Sequence, residues 1–147
     1  MKLHTKYHGE ISIEETEIIT FENGIPGFLE EKKFVFLPFG DDSVFFIMQS
    51  VGTSELAFVV ASPFAFFNEY DFTLEEQVVE QLQLDSEKDV TVYVILTVQE
   101  PFDRSTANLQ GPVVVNNKMK LGKQVILTNT SYQTKHLIFK KDKATVK

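Results

Sequence analysis

Three histidines and 21 carboxylates are the residues of this 147-residue chain whose chemistry could support acid–base catalysis or metal binding. His4 and His8, placed on one strand, would share a face about 13 Å apart, at ~3.3 Å per residue. That separation is too long for two ligands of one metal ion, so we interpret both as surface imidazoles, together with His136. The chain has no cysteine, which removes thiolate metal sites, disulfides and cysteine nucleophiles together.

The sequence also lacks the glycine-rich and serine-centred motifs that mark common active sites. Gly122-Lys123 comes nearest to a phosphate-binding loop, but Asn117 stands where such a loop needs its first glycine. We therefore predict a protein that is not an enzyme and that needs no metal or cofactor. The alternative is an enzyme with a carboxylate pair that the fold brings together in a cleft.

Three segments have compositions that suit the binding of other proteins. The turn Gly24-Ile25-Pro26-Gly27-Phe28 either closes one end of the fold or displays an apolar tip, and its Pro-Gly pair fits a type II turn. Residues 62–70 contain three Phe and one Tyr, which either fill the core or leave rings exposed as anchors. Residues 105–116 contain asparagines, and hydrogen bonds from their side chains to the backbone of local turns would explain their presence. The candidate contact residues are Ile25, Pro26, Phe28, Phe64, Phe66, Phe67, Tyr70, Asn108, Leu109 and Asn116.

Charge is distributed unevenly, although the formal net charge is only −7. Residues 10–103 contain 20 acidic and 3 basic residues, whereas residues 104–147 contain 1 acidic and 9 basic ones. If the fold keeps these parts separate, an acidic surface would attract a basic partner. If strands interleave them, the charges partly cancel. The basic residues have few aromatics among them, so we predict no direct binding to nucleic acid.

Short runs of β-branched and aromatic residues at roughly ten-residue spacing predict a mainly β fold. We expect a small closed or nearly closed β-barrel-like domain. The longest predicted strand covers residues 90–98, and residues 44–51 and 56–61 form a predicted hairpin. Later strands are predicted at residues 113–115 and 124–128.

One short helix is predicted at about residues 74–84, where Thr73 and Glu76 fit a capping box. A single domain is predicted over residues 1–139, followed by a flexible Lys-rich tail over residues 140–147. No secretory signal opens the chain, and no apolar run approaches the ~20 residues of a membrane span. These observations predict a cytoplasmic protein that does not bind a membrane.

Several of these segments, in this order, resemble the FliW family of flagellar assembly factors. Each motif is short, but their order and spacing over about residues 3–139 make the resemblance specific. The matching stretches include Thr5-Lys6-Tyr7-His8-Gly9-Glu10, Ile19-Thr20-Phe21-Glu22-Asn23-Gly24-Ile25-Pro26-Gly27-Phe28, Phe45-Phe46-Ile47-Met48-Gln49-Ser50-Val51, Leu56-Ala57-Phe58-Val59-Val60, Ser105-Thr106-Ala107-Asn108-Leu109, Pro112-Val113-Val114-Val115-Asn116 and Gly122-Lys123-Gln124-Val125.

The resemblance implies a small β-barrel-like protein without enzymatic activity that acts in the cytoplasm. It also implies two partners, flagellin and CsrA, a small basic dimeric RNA-binding protein that represses flagellin translation. Flagellin and CsrA would compete for the protein. Secretion of flagellin would then free it to bind CsrA away from the RNA-binding surface and relieve repression. We expect the protein itself to be monomeric.

A second interpretation is a β-barrel that binds a small ligand. The chain has 14 Phe and no Trp, and these Phe residues would line a cavity inside the barrel. A large enclosed apolar pocket would favour this interpretation over a protein-binding surface.

Overall fold

A computed structural model describes residues 1–41 and 44–139. These residues contain one α-helix, α1 (Glu76–Gln81), and several 3₁₀ turns. The strands are β1 (Lys2–His4), β2 (Glu10–Ser12), β3 (Ile19–Thr20), β4 (Lys33–Pro38), β5 (Phe45–Ser50), β6 (Ala57–Ala61), β7 (Val90–Thr97), β8 (Thr106–Ala107), β9 (Val113–Asn116), β10 (Leu121–Gln124) and β11 (His136–Leu137). The division into a domain over residues 1–139 and a Lys-rich tail stays a prediction, because residues 140–147 lie outside the described residues.

Seven strands close into a barrel in the order β3-β4-β5-β6-β7-β9-β10, with β10 pairing back onto β3. Neighbouring strands are antiparallel except β10 and β3, which run parallel and pair at Leu121 and Thr20. β8 and β11 extend the sheet beside β7, and β1 and β2 form a separate hairpin. The prediction of a mainly β, closed barrel with one short helix is confirmed.

Alternate residues of the barrel strands point inward and fill the barrel, as the two-residue period of a strand requires. On β4, Phe34 packs in the interior, whereas its neighbour Val35 packs against the β1–β2 hairpin. The interior cluster consists of Ile19, Phe21, Ile25, Phe34, Met48, Val60, Val113 and Val115. The barrel therefore encloses a packed core of its own side chains.

Three pieces of chain cover the outer faces of the barrel strands. The β1–β2 hairpin places Leu3 beside Val35. The helix α1 packs its apolar side on Val114 of β9. The chain that follows β6 covers β7, where Phe67 and Tyr70 join a cluster with β7 side chains.

The helix is shorter than predicted at both ends. Its N-cap residue is Glu75 rather than Thr73, so the predicted capping box of Thr73 and Glu76 does not form. At the other end, Gln83 has a left-handed φ of 53°, which ends the helical turn. The carbonyls of Leu82 and Gln83 accept hydrogen bonds from Nδ2 of the buried Asn116, at 2.7 and 3.1 Å. A contact with a distant strand thus holds this end in place.

Strand β10 begins three residues earlier than predicted, at Leu121 instead of residue 124. The turn after β9 is tight because Oδ1 of Asn116 accepts hydrogen bonds from the backbone N–H groups of Lys118 and Met119. Lys120 then adopts a left-handed φ of 57° and returns the chain to the sheet. Residues 125–127 continue beyond β10, held by backbone bonds to the segment before β9.

Tyr70 joins the chain after β6 to the chain before β9. Its hydroxyl donates a hydrogen bond to the carbonyl of Leu109 at 2.7 Å, and its ring centroid lies 4.8 Å from that of Tyr132. Burial raises the pKa of the Tyr70 phenol, and the nearby Tyr132 raises it further. The folded protein therefore favours the neutral phenol at this position.

Gly122 of β10 lies directly against the ring of Phe21, and a Cβ there would meet ring carbons at 2.5–2.8 Å. Phe21 is fully buried in the interior cluster and has no free space to move into. We expect Gly122→Ala to lower the free energy of unfolding by about 2 kcal/mol, the usual cost of overpacking a core. Chemical denaturation measures this change.

Gly52→Ala is the matched control, because a Cβ at Gly52 would meet nothing within 4 Å and its φ is not left-handed. It should change the free energy of unfolding by less than about 1 kcal/mol. Equal effects of the two substitutions would contradict the role of Gly122 in closing the barrel.

The raised pKa of Tyr70 predicts a loss of stability at alkaline pH. The pKa of Tyr70 is higher in the folded protein than the unfolded value of 10.0, so the neutral phenol contributes its full stabilisation of the fold below pH 10.0. This stabilisation is lost as pH rises through the folded pKa. When the pH is raised from about 8 to about 11, the free energy of unfolding should therefore fall less in Tyr70→Phe than in the wild type. Urea denaturation at both pH values checks this.

Tyr7→Phe serves as the control, since Tyr7 is 48% exposed. Its unfolding free energy should follow pH as the wild type does. If Tyr70→Phe also followed the wild type between the two pH values, ionisation of Tyr70 would not limit alkaline stability.

Candidate protein-binding surfaces

The turn at residues 25–28 both closes the barrel and displays an apolar tip. Ile25 is 2% exposed and belongs to the interior cluster, so it fills one end of the barrel. The N–H of Phe28 donates to the carbonyl of Ile25 at 2.6 Å, and Gly27 has a φ of 88°, as a type II turn needs. The turn therefore closes one end of the barrel with one part and displays an apolar tip with another.

The exposed part of this turn is formed by Pro26, Phe28 and Leu29, which we call the turn surface. Phe28 is 42% exposed and Leu29 is 64% exposed. The ring of Phe28 packs edge-on against Phe58, with centroids 5.5 Å apart, so its direction is fixed. Sequence reasoning included Pro26 and Phe28 but missed Leu29, because a single Leu beside acidic residues carries no pattern.

Glu31 ties the chain after the turn surface to the end of β5 and the β5–β6 turn, and Gln49 holds that turn and the β1–β2 connection to the barrel. The carboxylate of Glu31 accepts hydrogen bonds from Ser50 Oγ at 2.6 Å and Thr53 Oγ1 at 2.7 Å. Gln49 is fully buried, its Oε1 accepts from the N–H of Lys6 at 2.9 Å, and its Nε2 donates to carbonyls of the β5–β6 turn. Both were missed from sequence, although a Gln inside an apolar strand was a usable signal.

The aromatic segment after β6 divides into a buried part and an exposed part. Phe67 and Tyr70 are buried, whereas Phe64 is 50% exposed and Phe66 is half-buried. Phe66 completes a ring of four phenylalanines with centroids 5.6–5.7 Å apart. Its members are Phe45, Phe66, Phe102 and Phe139. We call Phe64 and this ring the aromatic surface.

The members of the ring that sequence reasoning missed come from distant parts of the chain. Phe102 and Phe139 are each 40% exposed. Neither lies in an aromatic-rich segment, so no local pattern marks them. Phe139 meets Phe66, and Phe102 meets Phe45 and Phe139, because β8 and β11 extend the sheet beside β7.

Side chains of the third candidate segment serve mainly to shape the backbone. Oδ1 of Asn108 accepts hydrogen bonds from the N–H groups of Gln110 and Gly111, at 3.1 and 2.9 Å. Leu109 is 2% exposed and Asn116 is 1% exposed, and neither presents a surface to a partner. A contact from this segment would have to involve Asn108, which is half-buried.

The charged side chains lie mostly outside the barrel strands. Strands β3 to β7 all come from residues 10–103 and are consecutive around the barrel, but they contain no Asp or Glu; the acidic side chains of this part lie in β2, in α1 and in the connections. Direct pairing offsets little of the negative charge: Lys118 Nζ lies 4.0 Å from Asp85, with both side chains largely exposed. The helix α1, which carries Glu76 and Glu80, packs on β9 of the basic part, so the strand order by itself does not separate the two charges.

The histidines take separate positions rather than one strand face. β1 ends at His4, which lies 3.4 Å from Glu10. His8 follows in a turn, where its Nε2 lies 3.1 Å from the carbonyl oxygen of Pro38. The strand that would have spaced His4 and His8 about 13 Å apart is therefore not formed. Within residues 1–41 and 44–139, no three His, Asp or Glu side chains converge as metal ligands would.

No helix in the part of the chain that the structure describes is long and apolar enough to span a membrane.

Comparison with known proteins gives one consistent result across sequence and structure. The family described as "FliW protein" matches residues 2–138. A protein from Geobacillus sp. (strain WCH70), "Flagellar assembly factor FliW", is 58% identical over 139 residues, covering 95% of this chain and 96% of that protein. The protein of the same name from Bacillus subtilis (strain 168) is 55% identical over 138 residues, covering 94% of this chain and 96% of that protein.

A solved structure supports the same assignment at the level of the fold. The "Crystal structure of the flagellar assembly factor FliW" superposes with a TM-score of 0.92 at 55% identity. The match covers 96% of this chain and 99% of that one. Sequence and fold agree over almost the full length of the relatives, and the chain belongs to the FliW family.

Proposed function

We propose that this protein is a cytoplasmic flagellar assembly factor that works by binding flagellin and CsrA, not by catalysis. The observation that carries the proposal is its membership of the FliW family over residues 2–138. The partners come from what the resemblance to that family implies. Flagellin and CsrA compete for the protein, so the amount of unsecreted flagellin controls how much of it is free to antagonise CsrA.

The packing of the barrel supports binding at the outer surface over binding of a small ligand. Phe21 and Phe34 are fully buried in the interior cluster, and their ring centroids lie 5.4 Å apart in edge-to-face contact. These rings occupy the barrel rather than line a cavity, which removes the main reason for the small-ligand interpretation. The protein needs no cofactor for the proposed activity and is monomeric on its own.

The exposed apolar residues supply the anchors for partner binding. The turn surface and the aromatic surface each combine exposed rings or aliphatic side chains with an ordered backbone. Large apolar side chains that are already held in place lose little entropy on binding. The acidic side chains of α1 and of the connections favour a basic partner such as CsrA, whereas β9 and β10 contain a single basic residue, Lys123, which gives no basic patch for direct binding of nucleic acid.

Immobilised protein should retain purified flagellin and purified CsrA, each added alone. Flagellin added to the CsrA-loaded protein should release CsrA in proportion to the flagellin bound. A pull-down followed by quantitative gel analysis measures both. Failure to retain either protein would mean that the proposed function is wrong.

Leu29→Asp tests the turn surface, because it places a charge at the most exposed apolar residue of that surface. It should weaken binding of at least one partner about tenfold, equivalent to about 1.4 kcal/mol. Ile126→Asp is the matched control, since Ile126 is also exposed, at 53%, and lies after β10. If both substitutions left binding of both partners unchanged, the turn surface would not be a contact.

Electrostatic steering predicts that the association rate with CsrA depends on salt. The acidic surface attracts a basic partner over about 8 Å in physiological salt and over a shorter distance at higher salt. Stopped-flow or surface-binding measurements should show the rate falling about tenfold between about 50 mM and about 500 mM salt. A rate that stays constant over this range would exclude steering by the acidic side chains.

A further inference from the structure

An open groove of about 740 Å³ runs beside α1, outside the barrel and apart from the turn surface. One wall is the chain that leads from the aromatic segment to α1, and the other is the connection from α1 to β7. The floor is apolar and is formed by Phe72, Leu74, Val79, Leu84, Val90 and Val92. All six are half-buried, so each packs on the protein with one side and faces the groove with the other.

The rim of this groove is acidic. Asp71, Asp85 and Glu87 line it, and all three are exposed. Among the described residues that line the groove, none is Lys or Arg. Lys118 Nζ lies 4.0 Å from Asp85, but both side chains are so exposed that the pair offsets little of the rim charge. The exposed Glu75, Glu76 and Glu80 of α1 add to the negative field.

Both walls are held in position by contacts to the rest of the fold. On one wall, the N–H of Asp71 donates to the Tyr132 hydroxyl at 3.1 Å, next to the buried bond from Tyr70 to Leu109. On the other wall, Asn116 fixes the end of α1, and Ser86 Oγ accepts from the N–H of Lys88 at 3.2 Å. The groove is therefore already formed before a partner binds, and the entropy cost of ordering it on binding is small.

From this combination we infer that the groove binds a short basic amphipathic segment of a partner protein. Apolar side chains of the segment occupy the floor, and flanking Lys or Arg side chains meet Asp71, Asp85 and Glu87. An apolar groove beside a helix is a common acceptor for such a segment. The acidic rim repels nucleic acid and anionic lipid, which leaves a basic polypeptide as the occupant that the charge favours. The inference rests on the proposed function for the identity of the partner, which would be its basic member, CsrA.

The first test uses the full-length ¹⁵N-labelled protein and a synthetic helical peptide of Leu and Lys, roughly four turns long, with Leu on one face. Backbone NMR signals of Phe72, Val79, Leu84 and Val90 should shift as the peptide is added. A counterpart with every Lys replaced by Glu should cause no such shifts. Shifts that map elsewhere, or equal binding of the two peptides, would overturn the inference. Groove signals that change on dilution of the protein alone would identify a second copy as the occupant and would also overturn it.

Charge variants separate the rim from the overall negative charge. The triple variant Asp71→Asn, Asp85→Asn, Glu87→Gln should bind the Lys peptide at least about tenfold more weakly than the wild type. The matched control Glu14→Gln, Glu15→Gln, Glu17→Gln removes the same charge from exposed residues near β3 and should bind as the wild type does. An equal loss in both triples would assign the effect to net charge and overturn the groove as its source.

The apolar contact is tested with an exposed ring at the edge of the groove. Phe64 lines the groove and is 50% exposed, so Phe64→Ala should weaken binding of the Lys peptide several-fold without unfolding the protein. Phe39→Ala is its control, because Phe39 is 45% exposed and contacts Tyr7 and His8 instead. Unchanged peptide affinity in Phe64→Ala, or the same loss in both variants, would overturn the apolar part of the inference.

Purified CsrA distinguishes failure of the groove from failure of the proposed function. If the triple variant of the rim lost CsrA binding and kept flagellin binding, both the groove and the proposed function would be supported. Binding of CsrA by the rim triple as strongly as by the wild type would overturn the groove and leave the proposed function standing. Binding of the Lys peptide in the groove without binding of CsrA by the wild type would support the groove and overturn CsrA as the partner.

Discussion

The parallel pairing of β10 with β3 is the contact on which the rest of the structure depends. It joins Leu121 to Thr20 across about a hundred residues of chain and converts an open sheet into a barrel with no free edge at that position. Gly122 allows the approach, because the ring of Phe21 occupies the space where any side chain would go. Closure also encloses the interior cluster, so the hydrophobic stabilisation of the core and the pairing of these two strands form together.

A barrel filled by its own side chains can act only from outside. The three pieces of chain that cover it leave apolar side chains in contact with water, among them those of the turn surface, the aromatic surface and the groove beside α1. In each place the exposed side chains sit on backbone that is held by buried hydrogen bonds, such as those of Gln49, Tyr70 and Asn116. All three residues are buried, and their hydrogen bonds fix the position of the backbone nearby.

Charge and apolar surface fall on the same part of the molecule. The acidic side chains lie mostly in α1 and in the connections rather than in strands β3 to β7, and the rim of the groove belongs to these connections. A basic partner is attracted over a distance comparable with the Debye length, whereas apolar contact holds it only after it arrives. The connections therefore supply both contributions: their carboxylates set the long-range field, and their apolar side chains supply contacts.

The sequence by itself determined the barrel, the hairpin of β5 and β6 and the FliW resemblance, because two-residue alternation, turn residues and motif order are local signals. It also located the Ile25–Phe28 turn and the aromatic segment. Tertiary structure alone decided the C-terminal end of α1 and the start of β10, where Asn116 bonds to distant or neighbouring backbone and overrides local preference. It alone decided which candidates are exposed, burying Leu109 and Asn116 while bringing Phe102 and Phe139 into one ring with Phe45 and Phe66. The reason is physical: exposure depends on which distant segments pack over a residue, and no local pattern of residues carries that information.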